Sequence, residues 1–524
     1  MSVPDNKKIF DQRKCYLITM KNNYPDLIRK APVYDVATKT PLDFAPLISK
    51  RMSSQIWFKR EDLQPVFSYK IRGAYNLMSS LSDEVMRSGV VAASAGNHAQ
   101  GVALSAKKLG VKATIVMPKT TPEIKVEAVV RLDGRVILHG NSYDDASDYA
   151  QKFALEKNMP YIPPYDHPLV IAGQGTVGLE ILEQFTTLPD AIFVPVGGGG
   201  LISGVAAYVK SVAPTVKIIG VEPAEAASMT AALSSGQRAT LDHIGIFADG
   251  AAVKQVGEEN FRIAKEYVDE MLTVSIDEMC AAVKDIFEET RSIAEPAGAL
   301  ALAGAKQYII KHPNVITNSV AILSGANVNF DRLRHIAELA ELGEQREILI
   351  GATLPEVAGT FRDFCHALGP RLITEFNYRM SNENTAAVFA GVKVKNRDKE
   401  REILMDNLTD KGYLPIDMTD DEVAKIHLRF MVGGRSSVPI DDERLLRFEF
   451  PERAGALLHF LSHLGDKWNI SLFHYRNHGA AYGRVLMGIQ VPESDFADFE
   501  NTLSSLGFPY ENETMNPAYH LFLN

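Results

Sequence analysis

Ala191-Ile-Phe-Val-Pro-Val-Gly-Gly-Gly-Gly-Leu-Ile-Ser-Gly204 passes from a short apolar run through four glycines into an Ala- and Val-rich segment. An apolar run this short, bounded by glycine, predicts a strand buried on both faces. The segment LISGVAAYVKSV after the glycines predicts a helix. Consecutive glycines let backbone amides converge on an anion with no side chain in the way. A P-loop needs Lys-Ser/Thr after its last glycine, and Leu201-Ile202 stand there instead. No register of these glycines supplies the Gly-x-Gly-x-x-Gly of a dinucleotide site. A cradle for a single phosphate and a tight structural turn remain.

The same strand-to-helix pattern repeats on both sides. VVAAS (90–94), KATIVMP (112–118), VKIIGVE (216–222) and SVAILSG (319–325) are β-branched runs, and helix-forming stretches such as HAQGVALSAKKLG lie between them. Such alternation predicts a parallel sheet covered on both faces, with ligands at the carboxyl ends of its strands. Three further motifs fall at such junctions. Ser68-Tyr69-Lys70-Ile-Arg-Gly73 places a lysine at a helix start. It reads either as a surface lysine in a helix capped by Ser68 or as an amine able to form a Schiff base with an aldehyde. Ser94-Ala95-Gly96-Asn97-His98 joins a strand to a helix whose free N–H groups suit a carboxylate. An ordinary turn with an Asn cap is the alternative, and His98 alone reads as a structural residue. Ser324-Gly325-Ala326-Asn327 ends another strand with a hydroxyl able to face a neutral ring nitrogen.

After the charged, helix-forming stretch 330–347 (FDRLRHIAELAELGEQRE) the pattern changes to an internal repeat. Leu354-Pro-Glu-Val-Ala-Gly359 matches Phe450-Pro-Glu-Arg-Ala-Gly455, and Phe376-Asn-Tyr378-Arg379 matches Phe473-His-Tyr475-Arg476. Gly359 and Gly455, Tyr378 and Tyr475, and Gly412 and Gly507 are separated by 96, 97 and 95 residues. Each copy reads strand, helix, strand, strand, helix, strand, the ferredoxin-like order.

Bulk properties narrow the class. The 524 residues call for several domains, and 46% apolar with 23% charged residues is globular composition. A net charge of −10 with no Lys/Arg run excludes a basic nucleic-acid face. Cys15, Cys280 and Cys365 lie too far apart for a disulfide framework or metal-ligand spacing, so no metal is expected and a reducing compartment is. The polar N-terminus and the absence of a long apolar run predict a soluble, cytoplasmic chain with no membrane span.

The four catalytic motifs, in this order and spacing, resemble the fold-type II pyridoxal-phosphate enzymes, and most closely the biosynthetic threonine deaminase (threonine ammonia-lyase) family. The resemblance covers the whole chain. It implies an α/β, tryptophan synthase β-like catalytic domain with parallel sheets over residues 1–335, whose smaller lobe lies at roughly 85–165. It further implies a connecting helix at 336–346 and two ferredoxin-like, ACT-like regulatory repeats at 347–436 and 437–524. By motif, Lys70 would carry pyridoxal 5′-phosphate, and Gly197, Gly198, Gly199, Gly200 and Leu201 would hold its phosphate. Asn97 would meet the ring hydroxyl and Ser324 the ring nitrogen, while Ser94, Ala95, Gly96, Asn97 and His98 would hold the substrate carboxylate. The implied reaction is dehydration and deamination of L-threonine to 2-oxobutanoate and ammonia, with L-serine giving pyruvate. Tyr378 and Tyr475 read either as sheet aromatics or, by resemblance, as sensors of isoleucine with valine opposing it. A homotetramer is implied as well. Tyr69 and Leu323 depart from the family's usual Phe and Cys, which affects packing more than chemistry.

Two rival functions have sequence tests. A serine racemase needs a second acid/base on the face opposite the lysine, and Ala95 cannot serve where related racemases carry serine. Their acidic metal cluster is also incomplete, because Ser228 stands where they carry Asp. A monovalent cation near Glu222 or Glu295 remains open. A catalytically dead amino-acid sensor is disfavoured by the intact Lys70.

Overall fold

The computed structural model describes residues 23–343, 346–380, 384–426, 428–430, 436, 439–451, 456–476 and 482–523. Cys15 and the second-copy motif residues 452–455 lie outside them. The chain divides into two compact units between Ala340 and Glu341. Among the described residues no helix is long and apolar enough to cross a membrane.

The first unit contains two sheets. In chain order its strands are β1 (Leu42–Phe44), β2 (Gln55–Arg60), β3 (Val90–Ala93), β4 (Ala113–Met117), β5 (Arg135–Leu138), β6 (Ala191–Pro195), β7 (Lys217–Pro223), β8 (Glu270–Val274) and β9 (Asn318–Leu323). The larger sheet has the order β1-β2-β9-β6-β7-β8 and the smaller β3-β4-β5. Every pairing is parallel except β1 with β2. Strand β6 shows why its run is apolar throughout. Ile192 and Val194 pack with Leu201, Ile202 and Val205 of the helix Gly200–Val212. Phe193, between them, points the other way and meets Tyr308 of the helix Pro296–Lys311, ring centroids 5.9 Å apart. Alternation along a strand therefore serves two covering layers. The smaller sheet is covered likewise. Val90 and Ala92 face the helices Lys70–Met78 and Asn97–Leu109, and Val91 and Ala93 face Tyr143–Glu156.

The five β-branched runs of the sequence are β3, β4, β6, β7 and β9. Strands β2, β5 and β8 were not among them: QIWFKR carries charge at its end, and RVIL and EMLTV are short and half-exposed. The linking helix spans Arg332–Gly343, beginning four residues before the expected 336. Arg332 already anchors it, donating to the Phe247 carbonyl at 2.6 Å.

The second unit is one antiparallel sheet built from the repeat. Its strands are β10 (Glu347–Pro355), β11 (Ile373–Met380), β12 (Thr385–Lys393), β13 (Ile416–Asp417), β14 (Glu443–Pro451), β15 (Asn469–Arg476), β16 (Tyr482–Gln490) and β17 (Tyr510–Asn512). The order β13-β10-β12-β11-β15-β16-β14-β17 is a palindrome of the two copies, joined through β11 and β15. Across that join Phe376 opposes Tyr475 and Tyr378 opposes Phe473, so the pseudo-twofold passes through the pair Asn377 and His474. The repeat extends to buried charge. Glu347 and Glu443 open equivalent strands, and each accepts from an arginine, Arg429 at 2.9 Å and Arg379 at 2.6 Å. Arg379 belongs to the first copy and Glu443 to the second, which ties the copies by more than backbone.

Candidate active site

The sequence motifs converge because each lies at the carboxyl end of a parallel strand. The glycine loop follows β6, Ser324 follows the neighbouring β9, and Ser94 follows β3. Lys70 is brought in by backbone pairing: Tyr69 N–H donates to the Ser324 carbonyl at 3.3 Å and Ala326 N–H to that of Phe67 at 2.9 Å. Ser68 bridges Gly325. Ser68 does not cap the helix, as the surface-lysine reading required. Its hydroxyl is buried with no partner among the described residues.

A segment with no sequence motif, residues 162–165, gathers the rest. The Pro164 carbonyl accepts from Lys70 Nζ at 3.0 Å. The Ile162 carbonyl lies 2.9 Å from His98 Nε2. The Tyr165 ring packs so closely on Gly198 that a Cβ there would fall within it. Gly199 has φ +94°, and a Cβ on it would lie 2.7 Å from Met229 and 2.9 Å from Asn260. Asn260 Nδ2 donates to the Gly198 carbonyl at 2.8 Å, and its Oδ1 is buried with no partner among the described residues. Glycine is thus required by close approach at Gly198 and by backbone conformation at Gly199.

Electrostatics separate the groups by role. Burial lowers the Lys70 amine to about 8, with Glu295 opposing, so a free amine is accessible near neutrality. Burial, and then the Lys70 charge, lowers His98 to about 3. His98 is therefore a neutral structural residue that braces its loop. Asn97 is the first residue of its helix and does not cap it. Its Nδ2 donates to Glu295 Oε1 at 2.6 Å, and its Oδ1 accepts from Asn327 Nδ2 at 2.6 Å. Within the carboxylate loop, Gly96 N–H donates to Ser94 Oγ at 3.2 Å, and Ala95 offers only backbone. The Ser324 hydroxyl donates weakly to the Ala297 carbonyl at 3.4 Å, leaving its lone pairs open.

Glu222 is fully buried and accepts from Met229 N–H, Thr230 N–H and the Thr230 hydroxyl at 2.7–2.8 Å. It thus closes the start of the helix Ser228–Ser235, and among the described residues no group of three acidic, His or Cys side chains could hold a metal. In the second unit Tyr378 and Tyr475 are buried. The Tyr378 hydroxyl donates to Glu356 Oε2 at 2.9 Å, and Asn469 of the other copy donates to Glu356 Oε1 at 2.8 Å.

A glycine cradle after a strand, a desolvated lysine, a carboxamide and a neutral hydroxyl form the donor set for a phosphorylated pyridine aldehyde. The buried Ser68 hydroxyl, which has no partner among the described residues and can donate to an oxygen, fits such a group.

Comparison with known proteins agrees. Residues 33–325 match the family described as "Pyridoxal-phosphate dependent enzyme". Residues 338–428 and 434–523 each match "C-terminal regulatory domain of Threonine dehydratase". The L-threonine dehydratase biosynthetic IlvA of Burkholderia multivorans is 51% identical, over 96% of this chain and 99% of that protein. The Escherichia coli protein of the same name is 51% identical, over 95% and 97%. Among solved structures, processed threonine deaminase isoform 2 from Solanum lycopersicum superposes with a TM-score of 0.59 at 50% identity, covering 60% of this chain and 92% of that one.

Proposed function

The chain belongs to the pyridoxal-phosphate-dependent threonine dehydratase family, and from that premise we propose the part its own residues play in turning L-threonine into 2-oxobutanoate and ammonia. L-Serine gives pyruvate by the same route. The observation that carries the residue roles is the Lys70 amine, desolvated and held by the Pro164 carbonyl, with its neighbour Tyr69 paired to Ser324.

Pyridoxal phosphate, carried on Lys70, supplies the electron sink that makes the substrate α-proton acidic and its β-hydroxyl able to leave. Gly197, Gly198, Gly199, Gly200 and Leu201 hold the phosphate with backbone N–H groups at the start of the helix Gly200–Val212. Asn97 donates to the ring oxygen. Ser324 would meet the ring nitrogen as a neutral partner, its hydroxyl having lone pairs free for it. The loop from Ser94 to His98 receives the substrate carboxylate at the start of the helix Asn97–Leu109. The Lys70 amine, free near neutrality, would take the substrate α-proton. Water leaves from the β-carbon, and one water then replaces nitrogen, so threonine yields one ketoacid and one ammonia. Ala95 gives no acid on the opposite face, so the site eliminates and does not racemise.

The regulatory unit senses isoleucine, with valine opposing, and Tyr378 and Tyr475 report occupancy from mirrored places on the joined strands. Glu356, shared by Tyr378 and Asn469 of opposite copies, supports this reading because a ligand at the join would compete for it. The enzyme works in the cytoplasm as a homotetramer at the first committed step of isoleucine synthesis.

The test is 2-oxobutanoate formation from L-threonine, with and without isoleucine, in wild type, Lys70→Ala, Tyr378→Ala and Tyr475→Ala. Lys70→Ala should be inactive, and near-normal turnover would sink the catalytic assignment. The tyrosine variants should keep the uninhibited rate and lose inhibition; full isoleucine inhibition in both would remove them as sensors.

A further inference from the structure

Glu295 precedes the helix Pro296–Lys311 and takes no part in the steps above. It is 4% exposed. Its carboxylate accepts from Asn97 Nδ2 at 2.6 Å and faces the backbone N–H of Asn327. Asn327 Nδ2 in turn donates to Asn97 Oδ1 at 2.6 Å and to the Val66 carbonyl at 2.9 Å. The Asn97 carboxamide is thus held at both ends, with one N–H left for a ligand. A carboxamide can turn either end to a neighbour, but an ionised carboxylate accepts only and must face the NH2 end. A protonated carboxyl can donate and face the oxygen end, which removes that constraint.

We propose that Glu295 is a positioning residue of the reaction: its carboxylate fixes the Asn97 carboxamide so that the remaining N–H meets the ring oxygen of the cofactor. The inference rests on the assignment of Asn97 to that oxygen.

The surroundings of Glu295 make this arrangement sensitive to pH. A Cβ on Gly250 would lie 3.4 Å from Glu295 Oε1 and 3.6 Å from Asn97 Nδ2, so the segment carrying Asp249 lies against the pair. Asp249 is ion-paired to Lys125 and lies 3.8 Å from Arg332. Lys70 is the other charge near the carboxyl, which in turn raises the lysine. Burial first, and Asp249 second, push Glu295 up to about 7, against the hydrogen bond from Asn97, the Lys125 charge and the Asn327 N–H. The carboxylate, and the charge-assisted bond with which it holds the NH2 end of Asn97, is present above about pH 7 and lost as the pH falls through it.

The experiment strips the full-length enzyme of cofactor and titrates it with pyridoxamine 5′-phosphate, followed by fluorescence between pH 6 and 8.5. This probe keeps the ring oxygen and phosphate but has no aldehyde, so bond formation at Lys70 does not enter. Its own phosphate titrates alike in every variant, so the ratio of wild-type to variant affinity isolates the protein group. Wild type should bind about tenfold more tightly than Glu295→Gln at pH 8 and equally at pH 6, the weight of one charge-assisted hydrogen bond. Asp249→Asn keeps Glu295 but removes a charge that raises it, so the midpoint of the dependence should move to lower pH. That second variant carries the test if Glu295→Gln does not fold. A ratio constant across the range, or an unmoved midpoint in Asp249→Asn, overturns the proposal. Asn97→Ala separates the two layers: if it binds the probe as wild type does, the assignment of Asn97 falls, and the proposal with it.

Discussion

Gly198 shows how little room the site leaves a single atom. A methyl group there collides with the Tyr165 ring, and Tyr165 follows the Pro164 carbonyl that holds Lys70. Gly198→Ala should therefore weaken pyridoxal-phosphate binding by tenfold or more, measured by absorbance titration of the stripped enzyme. A second change, Tyr165→Ala, makes space and should return part of the loss, a coupling that a double-mutant cycle reads directly. Additive losses would mean that the two residues do not meet. At this scale Lys70, Ser324 and the four glycines were legible as candidates, each with an ordinary structural reading beside it, and the family resemblance chose between the two. The contacts of Glu295 and Asn327 with Asn97, and Tyr165 altogether, were not legible. A lone Glu before Pro, or a Tyr between two turns, has many ordinary uses, and only its neighbours in space select one.

The element that carries Lys70 is anchored by charge. Two residues into the helix Lys70–Met78, Arg72 is fully buried and donates to Glu61 at 2.7 and 2.8 Å and to Glu180 at 2.6 and 3.0 Å. Lys59, at the end of β2, completes the cluster with 2.6 Å to Glu180. The helix also crosses Pro168–Gln184 closely, since a Cβ on Gly173 would lie 2.6 Å from the Arg72 carbonyl. Removing one partner of a buried ion cluster leaves uncompensated charge. Glu180→Ala should lower stability by about 3–5 kcal/mol, read as a lower denaturant midpoint of the catalytic unit. Glu183→Ala breaks only the half-exposed pair with Lys39 and should change it by less than about 1 kcal/mol. Equal effects would refute the anchoring role. Lys59-Arg60-Glu61-Asp62 are four charged residues in a row with no periodic mark of burial, so the cluster was not legible in the sequence.

At the scale of the molecule, each unit closes its own core. The aromatic cluster of Phe361, Phe364, Phe376, Phe448, Phe460 and Phe473 belongs wholly to the second unit, and the cluster around β6 to the first. A chain ending after Gly343 should therefore still fold and form 2-oxobutanoate from threonine, and should lose its response to isoleucine. Retained inhibition in that fragment would place the effector site in the catalytic unit. The repeat behind the second unit was visible from sequence, since anchors near one spacing in a fixed order mark duplication. The palindromic eight-stranded sheet was not, because two ferredoxin-like copies can join by helices, by faces or by strand edges.

By itself the sequence determined the classes of its parts: alternating strands and helices, a duplicated α+β unit, and a lysine, glycines and a serine at junctions where ligands gather, which the family resemblance tied to a phosphorylated aldehyde. Those properties follow from periodicity, turn chemistry and side-chain reactivity, which are local. Only the tertiary structure decided which buried groups meet across tens to nearly two hundred residues. The Asn97–Glu295 bond, the Tyr165 wall behind Gly198 and the β11–β15 join are contacts at long sequence separation. A hydrogen bond or ring contact acts over a few ångströms, so none of them leaves a regular mark along the chain.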